Sequence, residues 1–286
     1  GEATLVTTRE ALDHGSAPAA PSTTSATPAA SSTTSAAFDH GAAHYDLMVG
    51  LNPGYHAELR RAARDLVERI LEGFGPTTGH NPPVSVRPPR SLSLLDLACG
   101  SGASTRALLS AAPAGSEVLG LDASDGMLAQ ARRKRWPDGV RFDRAVAGDL
   151  DLAALGPASF DGVLTAYLFR NLPEDRRDRA ASEIFELLRP GGWVTVQEYS
   201  VADDRRARAV WDAVCGAVIV PLGGLVGSGR DLYRYLWRSV VDFESFGRLA
   251  DRFAAAGFDR LATRTATGWQ RGILHTLIAH KPEVPR

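Results

Sequence analysis

From Tyr55 to Phe74, the apolar residues Leu59, Ala62, Ala63, Leu66, Val67, Ile70 and Leu71 recur at helical spacing between charged positions. One apolar stripe on a charged background predicts an amphipathic helix that buries one face. The stretch from Gly75 to Arg90 holds Pro76, Pro82, Pro83, Pro88 and Pro89. Each removes a backbone donor, so this stretch is read as a loop. After it, short β-type runs alternate with helical patterns. The runs Ser93 to Leu97, Glu117 to Leu121, Arg141 to Ala145, Phe160 to Thr165 and Trp193 to Tyr199 are candidate strands. Helices are expected over Ser104 to Ala112, Gly126 to Arg135, Arg176 to Leu188, Arg205 to Val220 and Phe246 to Ala256. Ile273 to His280 reads as a closing strand, and two late strands paired with each other complete a mixed sheet. Strand and helix in alternation predict an α/β, doubly wound architecture with helices on both faces of a mostly parallel sheet.

Composition narrows this picture at the N-terminus. From Gly15 to Ala37 the chain is almost entirely Ala, Ser, Thr and Pro, with too little apolar surface to offset the ordering of its backbone. Residues 1–37 are therefore expected to be a disordered tail and 38–286 a single domain, an ordinary division for a chain of 286 residues. Hydrophobic residues at 44%, charged residues at 23% and a formal net charge of -1 fit a globular protein with no nucleic-acid partner. Cys99 and Cys215 stand far apart and no Cys/His cluster has metal-ligand spacing, so neither a disulfide nor a metal is expected. No basic segment followed by an apolar run opens the chain, which points to the cytoplasm.

Candidate chemistry begins at Leu94-Leu95-Asp96-Leu97-Ala98-Cys99-Gly100-Ser101-Gly102-Ala103-Ser104-Thr105, a strand entering a glycine loop and then a helix. Glycines let the backbone approach a ligand, and a helix start presents N–H groups to an anion. Such a loop suits either a dinucleotide or S-adenosylmethionine (SAM). Two details favour SAM. Thr105 stands where a dinucleotide fingerprint has its third glycine, and the Asp96 carboxylate would repel a pyrophosphate. SAM instead offers an ammonium for Asp96 and a carboxylate for the loop around Ala98, Cys99, Gly100 and Gly102. Asp122 ends the second strand ahead of Ala123 and Met127, where a carboxylate can accept both ribose hydroxyls or merely cap the following helix. In Gly148-Asp149-Leu150, after the third strand, the acid can accept from an adenine amino group and the leucine can pack on the ring. Asp149 can equally be a turn aspartate. Ala166, at the end of the fourth strand, completes the expected cofactor contacts.

These elements, with Arg189-Pro190-Gly191-Gly192-Trp193, resemble the class I SAM-dependent methyltransferases from about Leu94 to Tyr199. A narrower resemblance covers nearly all the chain after the tail. Phe38 through Tyr45-Asp46, Asp96-Leu97-Ala98 with Gly100-Ser101-Gly102, Phe169-Arg170-Asn171, Glu198-Tyr199-Ser200, Tyr233-Arg234-Tyr235-Leu236, Ala256-Gly257-Phe258 and Gly272 to His275 are similar to the quinone C-methyltransferases of menaquinone and ubiquinone biosynthesis. The resemblance implies a Rossmann-like, doubly wound, mostly parallel seven-stranded sheet with a helical lid inserted at about 205–245. It implies conversion of SAM to S-adenosylhomocysteine without a metal. The acceptor it implies is a lipophilic aromatic small molecule contacted by Tyr45, Tyr167, Tyr233 and Tyr235. The chain departs from the family pattern at Cys99, Tyr167-Leu168, Ser200 and Leu150-Asp151, which fits a relative with another acceptor, such as a natural-product C-, O- or N-methyltransferase.

The resemblance also implies roles at the reacting centre. Attack of a ring carbon on a sulfonium methyl needs orientation and electrostatics more than a protein nucleophile. Arg170 would stabilise the acceptor's phenolate and Asn171 its other oxygen, although Arg170 could instead pair locally with Glu174 or Asp175. His275 would be the base for the ring proton or a satisfied histidine in a closing strand. Trp211 to Val226 is apolar but carries Pro221 and several glycines, short of the ~20 residues that span a bilayer. It could wall an acceptor pocket together with Tyr233, Tyr235 and Trp237, and a polyprenyl tail would bring it against lipid at the membrane periphery. A homodimer stays open. So do a non-methylating cyclase that only uses the cofactor's charge, a scaffold that has lost its site and an NAD-dependent oxidoreductase.

Overall fold

A computed structural model describes residues 54–73, 91–219, 221 and 230–283. The 1–37 tail, Tyr45, the proline-rich loop and the Tyr233 side chain lie outside the described residues. Helix α1 (Tyr55–Gly73) precedes β1 (Ser93–Leu97), α2 (Ala103–Ala111), β2 (Glu117–Asp122), α3 (Asp125–Arg133), β3 (Val140–Arg144), α4 (Leu152–Leu155) and β4 (Phe160–Ala166). Then come α5 (Glu174–Leu187), β5 (Leu188–Tyr199), α6 (Arg205–Val214), α7 (Arg230–Val241), α8 (Phe246–Ala255), β6 (Asp259–Thr265) and β7 (Leu274–His280).

The seven strands form one sheet in the order β3-β2-β1-β4-β5-β7-β6. The first five pair in parallel, and β7 runs antiparallel to both β5 and β6. This is the mixed, doubly wound sheet the alternation predicts. Position in the sheet explains strand composition. Central β4 is buried at every residue, whereas edge strand β3 (Val-Arg-Phe-Asp-Arg) buries only Phe142. A strand covered on both faces reads as continuous apolar sequence, and a charged edge discourages pairing with other chains.

Each face carries its own core. On one, α1 buries Leu59, Leu66, Val67 and Ile70 against Leu94, Leu164 and Trp193. On the other, Ala180, Ile184 and Leu187 of α5 and Leu249 and Phe253 of α8 cover Val163, Val194 and Leu277. Gly162 in β4 lets α1 sit close, since a Cβ there would meet Ile70 Cδ1 at 2.5 Å and Leu66 Cδ1 at 3.3 Å.

Three boundaries differ from the pattern-based expectation. Helix α6 stops at Val214 and loosens into a π turn over Cys215–Ile219, where Gly216 weakens the helix. Strand β5 starts at Leu188, and its register with β4 jumps between Phe160↔Leu188 and Gly162↔Trp193. The Arg189-Pro190-Gly191-Gly192 bulge absorbs the extra residues. Helix α7 lies within the expected lid insertion, where the pattern assigned no element of its own.

Candidate active site

The carboxyl ends of β1, β2 and β4 meet at one edge of the sheet, the place where open α/β sheets bind ligands. A cavity opens there. Ala98, Gly100, Asp122, Ala123 and Met127 line one side, Ala166, Tyr167, Arg170 and Asn171 the other. All nine were expected from the sequence. Leu97, Ser124, Ala145, Val146, Ala147, Leu168 and Leu172 also line it and were not.

Several expected cofactor residues sit one layer behind the cavity. Asp96 is wholly buried, and its Oδ2 accepts hydrogen bonds from the hydroxyls of Ser104 (2.8 Å) and Thr105 (2.5 Å). Thr105 therefore steadies Asp96 and does not itself line the cavity. Asp96 Oδ1 is buried and accepts no hydrogen bond from the described residues. Burial pushes this carboxyl up to about 7, against the downward pull of the two hydroxyls, and Asp122 adds a smaller upward push. Such an orphaned acceptor is costly unless a donor, best a cation, arrives. Gly102 serves packing, for at φ +93 a Cβ would fall 2.7 Å from the Trp136 ring. Cys99 points away into a small cluster with Phe142, Leu128 and Ala131. Its backbone N–H and that of Ala98 both donate to Leu121 O.

Asp122 joins two segments at the cavity mouth. Its Oδ2 accepts from Gly100 N (2.8 Å) and its Oδ1 from Ser124 N (2.9 Å). The cap of α3 is Ser124, whose hydroxyl accepts from Met127 N, so capping does not account for Asp122. Beyond β3, Glu183 of α5 accepts from Gly148 N (2.7 Å) and Leu150 N (3.0 Å) and fixes the Gly148-Asp149-Leu150 turn. The cavity wall there is Ala145, Val146 and Ala147.

At the other end of the cavity, rings are stacked in a column. Tyr55 of α1 lies on Tyr167 (centroids 5.3 Å apart), Tyr167 on Tyr199 (5.0 Å), and Tyr199 on Trp211 of α6 (5.4 Å). Tyr167 takes a left-handed φ of 61, a conformation uncommon for a bulky non-glycine residue and costly unless its surroundings hold it. The Arg170 guanidinium stands 5.3 Å from the Tyr167 ring and 5.8 Å from the Tyr199 ring. It does not pair with Glu174 or Asp175. Arg170 Nη1 bonds Glu198 Oε1 at 2.6 Å, with side chains 7% and 0% exposed. Glu198 also accepts from the backbone N–H groups of Arg170 and Tyr199. Asn171 donates to Tyr167 O (2.7 Å) and accepts from the Tyr235 hydroxyl (2.9 Å), which ties lid helix α7 to the end of β4.

His275 lies elsewhere. Its Nε2 sits 3.2 Å from Ser200 O and 3.1 Å from Gly272 O, and its ring stacks on Phe246. Burial lowers its pKa. Both features make it a neutral structural histidine, and it does not line the cavity. Besides the lining residues that were not expected, Glu198 carries a role at the site that the sequence pattern did not assign. Its signal was its place in Glu198-Tyr199-Ser200 at the end of a central strand.

Fold and cavity define a Rossmann-like, SAM-dependent methyltransferase. The chain belongs to the ubiE/COQ5 methyltransferase family, which matches residues 35–281. A ubiquinone/menaquinone biosynthesis C-methyltransferase UbiE from Nitrobacter hamburgensis is 32% identical over 235 residues, covering 81% of this chain and 85% of the relative. A demethylmenaquinone methyltransferase from Clavibacter sepedonicus is 34% identical over 184 residues, covering 64% of this chain and 72% of the relative. Among solved structures, Haemonchus contortus phosphoethanolamine N-methyltransferase 2 in complex with S-adenosyl-L-methionine shares the fold at a TM-score of 0.54 and 19% identity, over 86% of this chain and 57% of its own.

Proposed function

We propose that the protein transfers the methyl group of SAM to a ring carbon of a quinol-type aromatic acceptor. The observation that carries this reading is the Arg170–Glu198 pair, buried against Tyr167 and Tyr199 at the cavity's inner end. The names of relatives at 30% to 35% identity, which specify quinone methylation, support it.

The residues fit SAM. The orphaned Asp96 Oδ1 suits its ammonium, directly or through water, and Asp122 at the end of β2 suits its ribose hydroxyls. Ala145, Val146 and Ala147 offer an apolar wall for the adenine. When bound, SAM supplies an electrophilic methyl group. The protein's task is to place an electron-rich ring carbon in line with it and keep that carbon nucleophilic.

Tyr167, whose two ring faces are covered by Tyr55 and Tyr199, gives the cavity an aromatic edge against which a quinol ring packs. Arg170, held rigid by Glu198, puts positive charge where the acceptor's hydroxyl must carry negative charge. In a water-poor cavity such preorganised charge is worth far more than in solvent. Asn171 positions the Tyr167 carbonyl and anchors Tyr235 of the lid. His275 does not serve as a base, because its Nε2 already faces two backbone carbonyls; the ring proton displaced by the methyl group leaves to water at the cavity mouth as the ring re-aromatises. No helix among the described residues is long and apolar enough to cross a membrane, so a lipophilic acceptor would be met at the bilayer surface.

The test is mass spectrometry of the protein incubated with SAM and a demethylmenaquinol analogue, following S-adenosylhomocysteine and a product heavier by one methyl on a ring carbon. In the same assay Arg170→Ala should lower turnover and leave the SAM dissociation constant unchanged. Tight SAM binding with no methylated quinol would sink the acceptor assignment and point to another aromatic metabolite. Loss of SAM binding in Arg170→Ala would sink the role given to that residue.

A further inference from the structure

Beside the cofactor cavity lies a second cleft, between lid helix α7 and the turn over Phe169–Asn171 that precedes α5. Four arginines line it: Arg170, Arg177, Arg234 and Arg238, with Asp242 the only acid on its wall among the described residues. It encloses about 600 Å³, room for an anionic group and its water. Arg170 lines both the cleft and the cofactor cavity, so the two adjoin.

The four cations are unequally compensated. Arg170 is neutralised from behind by Glu198 at 2.6 Å. The nearest carboxylate to Arg177 is Glu244 at 3.6 Å, and Glu244 is shared with Arg252 (2.8 Å) and Arg248 (3.4 Å). Arg177 is pinned instead by its Nε, which donates to Phe169 O and Leu172 O (both 3.1 Å), and by the Phe243 ring. Burial lowers the pKa of Arg177; Glu244, Glu174 and Glu198 oppose the shift and Arg252 adds to it, and an adjacent anion would act with the carboxylates. Arg234 and Arg238 stand one helical turn apart on α7, exposed, and form no ion pair with the described residues. Like charges at this spacing oppose each other, and here they face two more cations across the cleft. Asp242, one turn beyond Arg238, leaves the cleft with one to two positive charges in excess.

We propose that this cleft binds a phosphate-type oxyanion of one or two charges, clamped between Arg234 and Arg238 of the lid and Arg177 at the start of α5. Planar guanidinium groups converging from two sides suit phosphate oxygens. Two sources share that chemistry: the phosphodiester of an anionic lipid, which would seat the lid on a membrane, and a phosphorylated small molecule free in solution.

The experiment uses the full chain with SAM bound. Inorganic phosphate is titrated by calorimetry, and vesicles of phosphatidylglycerol in phosphatidylcholine are compared with phosphatidylcholine alone by co-sedimentation. Binding to either anionic probe is expected, weakening steeply as salt rises. Arg234→Gln/Arg238→Gln should weaken it about tenfold or more, with melting temperature and SAM affinity kept as controls of folding. Asp242→Asn should strengthen it several-fold, a result that damage to the fold would not produce. Phosphate binding assigns the cleft to a soluble ligand, and vesicle binding alone assigns it to a lipid headgroup. Absence of binding to both probes overturns the proposal, as does binding that survives the double substitution undiminished. These readouts do not depend on turnover, so they stand or fall separately from the C-methylation reading.

Discussion

Glu198→Gln tests whether the buried pair at the end of β4 and β5 acts as described. The substitution keeps size and shape and removes the charge opposite Arg170, whose side chain is 7% exposed and whose Nη1 lies 2.6 Å from Glu198 Oε1. Breaking a buried pair by deleting one partner costs about 3–5 kcal/mol, chiefly because the other charge is left unpaired. Arg170 N donates to Glu198 Oε2 and Tyr199 N to Oε1, and glutamine has one acceptor oxygen, so it keeps only one of these bonds and turns its amide toward the other donor; the upper end, about 5 kcal/mol, is expected. For a domain of this size that is a fall in Tm of roughly 10–20 °C. Urea denaturation of the wild type, Glu198→Gln, Arg170→Met and the double variant gives the coupling directly. The double variant contains no unpaired charge, so it should recover about 2 kcal/mol relative to the sum of the singles. Additivity within about 0.5 kcal/mol would refute the claim that the two groups depend on each other. Glu198 does not line the cofactor cavity, so the SAM dissociation constant should stay within about threefold while kcat falls, because Arg170 loses its fixed position.

Asp96 should couple SAM binding to pH. With its carboxyl at about 7 in the fold against an ordinary 3.8, the unliganded folded state holds a proton that the unfolded chain has lost between those values. Stability of the free protein therefore falls as pH rises from about 4 to 7. A bound ammonium favours the ionised carboxylate, so the SAM dissociation constant should rise as pH is lowered below about 7, by at most about tenfold per unit. Calorimetry from pH 5.5 to 8 measures it, and an identical slope in Asp96→Asn would disprove the assignment. Asp122→Ala frees Gly100 N and Ser124 N and should weaken SAM by about tenfold or more with kcat at saturation little changed; unchanged affinity counts against a ribose role. Gly162→Ala forces a methyl to within 2.5 Å of Ile70 Cδ1 and should destabilise by about 1–3 kcal/mol in urea, and a neutral result would mean that α1 does not pack on β4 as described.

What the sequence showed and what it hid divide along the site itself. The cofactor half is local. Asp96 with its glycine loop, and Asp122 with Ser124, each belong to one strand–turn–helix unit, so spacing along the chain is spacing in space. The acceptor half is assembled from distant segments. Tyr55 comes from the first helix, Tyr167 and Arg170 from the end of β4, Glu198 and Tyr199 from β5, Trp211 from α6 and Tyr235 from α7. Glu174 and Asp175 were the obvious partners for Arg170 because they are near in sequence. Glu198 wins because the parallel β4–β5 register, Ala166↔Gln197, brings the next residues of both strands to one edge. The same logic explains His275, which pairs with Glu198 across β5 and β7 yet turns its ring to Phe246. No periodicity encodes that choice.

This division has a functional consequence. Residues of the aromatic column stack on one another, whereas Asp96 is held by Ser104 and Thr105 and Asp122 by Gly100 and Ser124, so the column can change together while those two carboxylates keep these partners. Tyr167-Leu168, where the resembled family carries a Phe-Gly pair, is such a change. It leaves a tyrosine at φ 61, and that strain is held by stacking on both sides and by the bonds from Tyr167 N to Gln197 O and from Asn171 Nδ2 to Tyr167 O. The column and its supports thus form one packed unit. Acceptor preference should follow that unit as a whole, while SAM affinity follows the two strand-end carboxylates.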